Sequence, residues 1–229
     1  MKPIIDLLKE IQGLIDKFAK KAKKKGSDVS VVLIGGRAVI AHGVDRTTKD
    51  VDVMAYGVPY NKFGRKFFKF LEQEFKERGS ESINITYMPP SNNLSDPFQH
   101  ELIIIKDAQN IMPKIDILIA RYKWELEGMQ SAKKENKVPM SIMPRPYLIA
   151  MKLMASGPRD FYDIRCLYDL LTAEEKIKTV RLAKLIKKDR NLDRILDFTG
   201  KGRIGEGGVE ESQLISPKSV IHSTIRFGN

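Results

Sequence analysis

The sequence predicts a mixed α/β (α+β) protein, with a core built on a mixed sheet with flanking helices, followed by a C-terminal helical domain. Three observations point there. Short β-branched apolar runs alternate with helical stretches as far as Ile119, and from Pro146 onward the apolar periodicity is helical. The 229 residues are 42% hydrophobic and 30% charged, which suits a folded chain with a sizeable core rather than a disordered one.

The elements follow in order. Ile4, Leu7, Leu8, Ile11, Leu14, Ile15, Phe18 and Ala22 form one apolar stripe and predict an amphipathic helix. It runs into Lys20–Lys25, cations suited to a helix C-terminus, with Gly26 as a left-handed cap. Val29–Ile34 reads as a buried strand stopped by Gly35-Gly36, and Arg37–Gly43 allows about two helical turns. Asp50–Tyr56 alternates as a second strand. Asn61–Arg78 is a helix, because Phe63, Phe67, Phe68, Leu71 and Phe75 share a face and Gly79 ends it. Ile83–Tyr87, Glu101–Ile105 and Lys114–Ile119 are further strands, with a Pro/Asn/Ser loop over 89–97. Tyr122–Val138 is charged and irregular, and marks the edge of the first unit. Helices follow at Tyr147–Ala155, opened by Pro146, and at Arg159–Leu171, after the Gly157-Pro158 break. Thr172-Ala173-Glu174-Glu175 is a capping box that opens a last, basic helix. From Gly200 the chain is glycine-rich, and Val220–Phe227 suits a strand, within the chain or against a second subunit. The domains are therefore 1–130 as the sheet core, 139–198 as the helical unit and 199–229 as an arm.

Composition excludes several classes. No apolar run approaches the roughly 20 residues of a membrane helix. Cys166 is the single cysteine and reads as core, so a disulfide scaffold and a Cys/His zinc site are both ruled out. The N-terminus shows no signal-peptide pattern, and a cytoplasmic protein is expected. Forty Lys+Arg against 29 Asp+Glu leave a net charge of +11, which suits a polyanionic partner. Solvated helix ends, or a thermophile's surface, account for the same lysines.

The chemistry concentrates in a few residues. Asp50 and Asp52 are two apart on a strand, so both point to one face and repel. A divalent ion with oxygen ligands resolves that conflict, and Mg²⁺ shared with substrate phosphate is the usual solution. A strand that ends in Gly35-Gly36 and enters a helix lets backbone amides approach a phosphate. Asp116 is a lone acid among aliphatics, on the opposite face from Ile115 and Ile117, and Lys152 is the lone charge in Tyr147–Ala155. Structural readings stand beside these. Asp50 and Asp52 could be solvated edge acids, Asp116 a structural partner of Lys or Arg, and Lys152 a snorkelling side chain. Arg46 could pair with Asp45 or Asp50, Arg159 and Asp160 could form a helix-start pair, and His42 could pack at a helix end rather than act as a catalyst.

Gly35-Gly36, thirteen residues, then Asp50-x-Asp52 with a distant Asp116 resembles the nucleotidyltransferase superfamily of DNA polymerase β-like fold. Gly35-Gly36-x-Ala38…His42-Gly43…Arg46-x-Thr48-x-Asp50-x-Asp52 is most similar to the AbiEii-like toxin branch. The downstream segment Leu148–Ala155, Arg159-Asp160, Asp163-Ile164 and Leu167 resembles the same branch. The resemblance spans about Val31 to Leu171.

It implies a nucleotidyltransferase-like core and a Mg²⁺-dependent enzyme that moves NMP from an NTP to an acceptor hydroxyl, releasing pyrophosphate. By position, Asp50, Asp52 and Asp116 would be the catalytic and metal-binding acids for two Mg²⁺, with Mn²⁺ as the alternative ion. Gly35, Gly36, Arg37, Arg46, Lys152, Asp160 and Asp163 would form the nucleotide site, with Asp160 or Asp163 orienting Lys152 or the substrate. Many members carry Ser shortly after the first Gly; here Gly36 is followed by Arg37, which either assists phosphate binding or points away. RNA or tRNA, a protein or a small molecule are the acceptors that fit, and an antitoxin or a second copy are the protein partners. The rival reading is a catalytically silent nucleotide- or RNA-binding member that acts as a toxin–antitoxin or other interaction module.

Overall fold

The computed structural model describes residues 3–23, 29–58, 60–91, 93, 99–134 and 138–197. The expected Gly26 cap, most of the 89–97 loop, the arm over 199–229 and the Val220–Phe227 strand lie outside these residues. The elements run α1 (Ile4–Lys23), β1 (Val29–Ile34), α2 (Gly35–Ala41), β2 (Val51–Gly57), α3 (Tyr60–Glu77), β3 (Ile83–Met88), β4 (Glu101–Asp107), β5 (Ile115–Ile119) and α4 (Lys123–Ser131). Then come β6 (Lys133–Lys134), β7 (Ser141–Ile142), α5 (Arg145–Ala155), α6 (Pro158–Asp169), α7 (Ala173–Leu185) and α8 (Asp189–Asp197). No helix among the described residues is long and apolar enough to cross a membrane.

The strands form one mixed sheet in the order β3-β4-β5-β2-β1-β7-β6. β2 lies at its centre, antiparallel to β1 and parallel to β5. The alternation read from sequence appears in β5, where Ile115, Ile117 and Ile119 are buried and Asp116 and Leu118 are not. On α1, the stripe from Leu7 to Ile15 is buried. Phe18 extends that stripe against α3, with its ring 5.0 Å from Phe67 and 5.2 Å from Phe70. A buried acid pins the same two helices together: Glu74 accepts from Lys17 Nζ at 2.5 Å, and Lys21 lies 3.6 Å away.

Three expectations change. Asp50 lies just before β2 rather than in it, and its side chain is 48% exposed. Within the stretch expected to be irregular, Lys123–Ser131 is a helix. Glu125 caps it by accepting from the backbone N–H groups of Tyr122 at 3.0 Å and Arg121 at 2.8 Å, while Trp124 and Met129 bury its inner face. Only Trp124, Leu126 and Met129 carry its apolar signal, and glutamates separate them. The last basic helix is two, because Lys187 takes a left-handed conformation between α7 and α8. Its capping box forms as read: Thr172 Oγ1 accepts from Glu175 N, and Glu175 Oε2 accepts from Thr172 N.

Past the expected boundary, β7 joins the sheet beside β1, with Leu33 paired to Ile142. The chain then enters α5, which is buried along nearly its whole length and packs against α2, α6 and α7. The helices therefore sit over the end of the sheet where β1 passes into α2. Cys166 is half-buried against this core rather than inside it.

Candidate active site

The register of three strands builds the site. Parallel pairing sets Asp52 opposite Asp116, and antiparallel pairing sets Asp52 opposite Ile34, the last residue of β1. Two carboxylates and the start of α2 thus meet at one level of the sheet. Gly35 makes the turn in a left-handed conformation (φ +62°), and a Cβ there would lie 2.0 Å from Asp52 Oδ2. A Cβ on Gly36 would lie 3.0 Å from Thr48 Cβ and 3.1 Å from the Arg46 guanidinium. The glycine pair is what lets the 46–52 segment close against the end of β1.

Burial first, then the charges of Asp116 and Asp50, push the Asp52 carboxyl up to about 6; Lys152 and Lys114 oppose that rise. Asp50, Asp116, Lys114 and Lys152 therefore all lie near enough to act on Asp52. Lys114 Nζ is 2.7 Å from Asp116 Oδ2 and 3.7 Å from Asp50 Oδ2. Burial alone would lower the pKa of Lys114, but Asp116, Asp50 and Asp52 outweigh it and hold the ammonium above its ordinary value. Asp116 Oδ1 is buried and has no hydrogen-bond partner among the described residues.

Lys152 enters from α5 and does not snorkel. Only 13% exposed, it places Nζ 2.7 Å from Asp160 Oδ1 and 2.8 Å from Asp163 Oδ2. Asp163 is buried and also takes Arg46 as an ion-pair partner, so Arg46 pairs with α6 rather than with Asp45 or Asp50. Asp160 does two jobs at once, since its Oδ2 accepts from Gly157 N at 3.0 Å while Oδ1 holds the lysine. Arg46, Asp163, Lys152 and Asp160 form one chain of charges that ties the helices to the segment leading into β2.

Arg37 is not part of this charge cluster. Its Nη2 donates to Thr48 O at 2.7 Å, and the side chain lines an open groove of about 830 Å³ with Ile4, Leu8, Ile40, Lys134 and Val138. His42 is a helix-end residue, its Nε2 2.8 Å from Met143 O. Lys114 is the site residue that sequence reasoning missed. The signal was present: it stands two residues before Asp116, hence on the same side of the chain.

The donors suit a hard divalent cation. They are all carboxylate oxygens, burial and then their mutual repulsion raise Asp52, and Asp116 Oδ1 is without a hydrogen-bond partner among the described residues. As they stand, no three His, Cys, Asp or Glu side chains among the described residues are gathered closely enough to hold a metal. A cation already lies among these acids, the Lys114 ammonium, and the oxygen-only donor set is of the kind that Mg²⁺ takes.

Comparison with known proteins gives one family and several distant folds. A family model described as a nucleotidyl transferase AbiEii toxin of a type IV toxin–antitoxin (TA) system matches residues 20–216. No curated protein matches the chain. Among solved structures, the antibiotic-resistance factor ANT(2'')-Ia is 15% identical, with a TM-score of 0.42, over 75% of this chain and 90% of its own. An antigenic nucleotidyltransferase-like protein from Paracoccidioides brasiliensis is 16% identical, with a TM-score of 0.38, over 95% and 98%. Terminal uridylyl transferase 4 from Trypanosoma brucei is 11% identical, with a TM-score of 0.37, over 70% of this chain and 52% of its own.

Proposed function

Because the chain belongs to the AbiEii nucleotidyltransferase family, we propose that it transfers NMP from an NTP to an acceptor hydroxyl, with release of pyrophosphate. One observation carries the reading: Asp52 and Asp116 stand in register beside the Gly35 turn, with Lys152 of α5 near enough to act on Asp52. Asp50, Asp52 and Asp116 would hold Mg²⁺, as two ions or with Mn²⁺ in its place. When bound, the metal supplies charge neutralisation for the triphosphate and lowers the pKa of the attacking hydroxyl.

The chain's own groups do the positioning. Lys152 donates one N–H to Asp160 and ion-pairs with Asp163, and an ammonium with three donors can still give one to a phosphate oxygen. Those two acids fix its direction, and the ion pair with Arg46 holds Asp163 in place. Gly35 and Gly36, where a Cβ would strike Asp52, Thr48 or Arg46, would offer their backbone N–H groups to the triphosphate. Asp116 Oδ1, without a hydrogen-bond partner among the described residues, would accept the proton of the acceptor hydroxyl. Attack in line on the α-phosphorus then expels pyrophosphate. The +11 charge favours RNA, tRNA included, as the acceptor. The type IV toxin–antitoxin description supports a role as the toxin of such a pair.

The test is incubation with each α-labelled NTP, Mg²⁺ and total RNA, followed by a search for label in RNA, in protein and in the enzyme itself. Wild type should transfer label and Asp52→Asn should not; label that persists in Asp52→Asn overturns this site. A second reading has a specific observation behind it. With Lys114 neutralising Asp116 and Asp50, a silent nucleotide-binding member is also chemically coherent. Nucleotide retention in equilibrium dialysis, with no transfer to any acceptor, would favour it.

A further inference from the structure

We propose that Lys114 is the internal cation of the carboxylate site: it holds Asp116 and Asp50 together in the metal-free protein and must leave them before a divalent ion binds. This deepens the proposed function and rests on its metal reading. Lys114 is the last residue before β5, and its backbone carbonyl accepts from Val51 N at 2.9 Å, so its Cα is fixed beside the start of β2 whatever its side chain does. From there one ammonium reaches two of the three acids, at 2.7 Å and 3.7 Å.

Three like charges at the end of two adjacent strands need a counter-charge to fold at neutral pH. Lysine suits an exchangeable one. Its charge sits on a flexible four-carbon stem, and its side chain here is 33% exposed, so the ammonium can swing into water without opening the core. A divalent ion approaching the same oxygens therefore competes with Lys114 before it gains its ligands. Lys152 is not such a competitor. It is 13% exposed and held on both sides by Asp160 and Asp163, and it stays put in either state.

The experiment measures Mn²⁺ binding by the electron-paramagnetic signal of free Mn²⁺, in the absence of nucleotide. Wild type is compared with Lys114→Met and Lys114→Arg, and melting temperatures are taken with and without the ion. A partly exposed ion pair contributes about fivefold to an equilibrium. Lys114→Met should therefore bind Mn²⁺ about fivefold more tightly than wild type. It should also melt lower without metal and regain more on adding it. Lys114→Arg keeps a cation in place and should bind no more tightly than wild type. Lys114→Gln, also neutral, repeats the comparison if the methionine variant expresses poorly. Should wild type bind Mn²⁺ and neither neutral variant bind it more tightly, this inference is overturned and the metal reading survives. If none of the proteins binds Mn²⁺, both fail.

Discussion

Gly35→Ala offers a sharp test of how the site is built. The perturbation adds one methyl group, in a backbone conformation that side chains rarely adopt (φ +62°). A left-handed L-residue costs about 1–2 kcal/mol. The new Cβ would fall 2.0 Å from Asp52 Oδ2 and 2.6 Å from both Cβ and Cγ of Asp52. Contacts with Cβ cannot be relieved by a rotamer change, so β2 or α2 must shift, at an overpacking cost of about 1–3 kcal/mol. The sum is about 3 kcal/mol. For a chain of this size that is roughly 6–12 °C in melting temperature. Gly36→Ala is the internal control. Its Cβ would meet neighbours only at 3.0–3.1 Å, one of them the end of a flexible arginine, and alanine gains about 0.5–1 kcal/mol over glycine within a helix. It should change stability by no more than about 1 kcal/mol. Urea and thermal unfolding of the two variants decide the matter. A Gly35→Ala protein that melts within about 2 °C of wild type, or a Gly36→Ala protein that is equally damaged, would refute the claim that Asp52 is packed against the glycine turn.

The remaining expectations follow from named contacts. Asp163→Asn removes the buried negative charge shared by Arg46 and Lys152, and should cost about 3 kcal/mol in urea denaturation. Thr172→Ala removes the hydroxyl that caps α7 and should cost about 1 kcal/mol, seen as a melting shift of about 2–4 °C. The hydrogen bond from Lys17 holds Glu74 below the usual carboxylate range, against the opposing effect of burial. A depressed folded-state pKa contributes stability above the unfolded value of about 4.3, and that stability is lost as pH falls through the folded value. Glu74→Gln should therefore be less stable than wild type at neutral pH and lose less on acidification below about pH 5, measured by melting temperature against pH.

Much of the fold was legible because the signals are local. The apolar stripe of α1, the phenylalanine face of α3, the β-branched run of β1 and the capping box at Thr172 all lie within one or two turns of sequence. Where the apolar signal was sparse it went unread: α4 buries Trp124 and Met129 and is capped by Glu125, whose partners include His100 across 25 residues. The break between α7 and α8 depends on a left-handed lysine, a residue type with no preference for that conformation. Asp50, Asp52, Asp116 and Lys152 could be singled out because each is a charge out of place in its own neighbourhood. Lys114 was not, because a lysine at the head of a strand looks solvated until the strand beside it is known.

By itself, then, the sequence determined most of the helices and strands, though not α4, β6, β7 or the break between α7 and α8, and which few charges interrupt apolar surroundings. Periodicity, caps and glycine placement are properties of neighbouring residues, and chemistry of that range can be read along a line. The tertiary structure decided which charges meet. The β2–β5 register sets Asp52 opposite Asp116, the Ile34–Asp52 pairing brings Gly35 against a carboxylate, and α6 carries Asp163 between Arg46 and Lys152. Those partners stand up to 117 residues apart. Coulomb energy depends on distance through space, so neither the shift of Asp52 nor the place of Lys114 among the acids exists until the sheet is assembled.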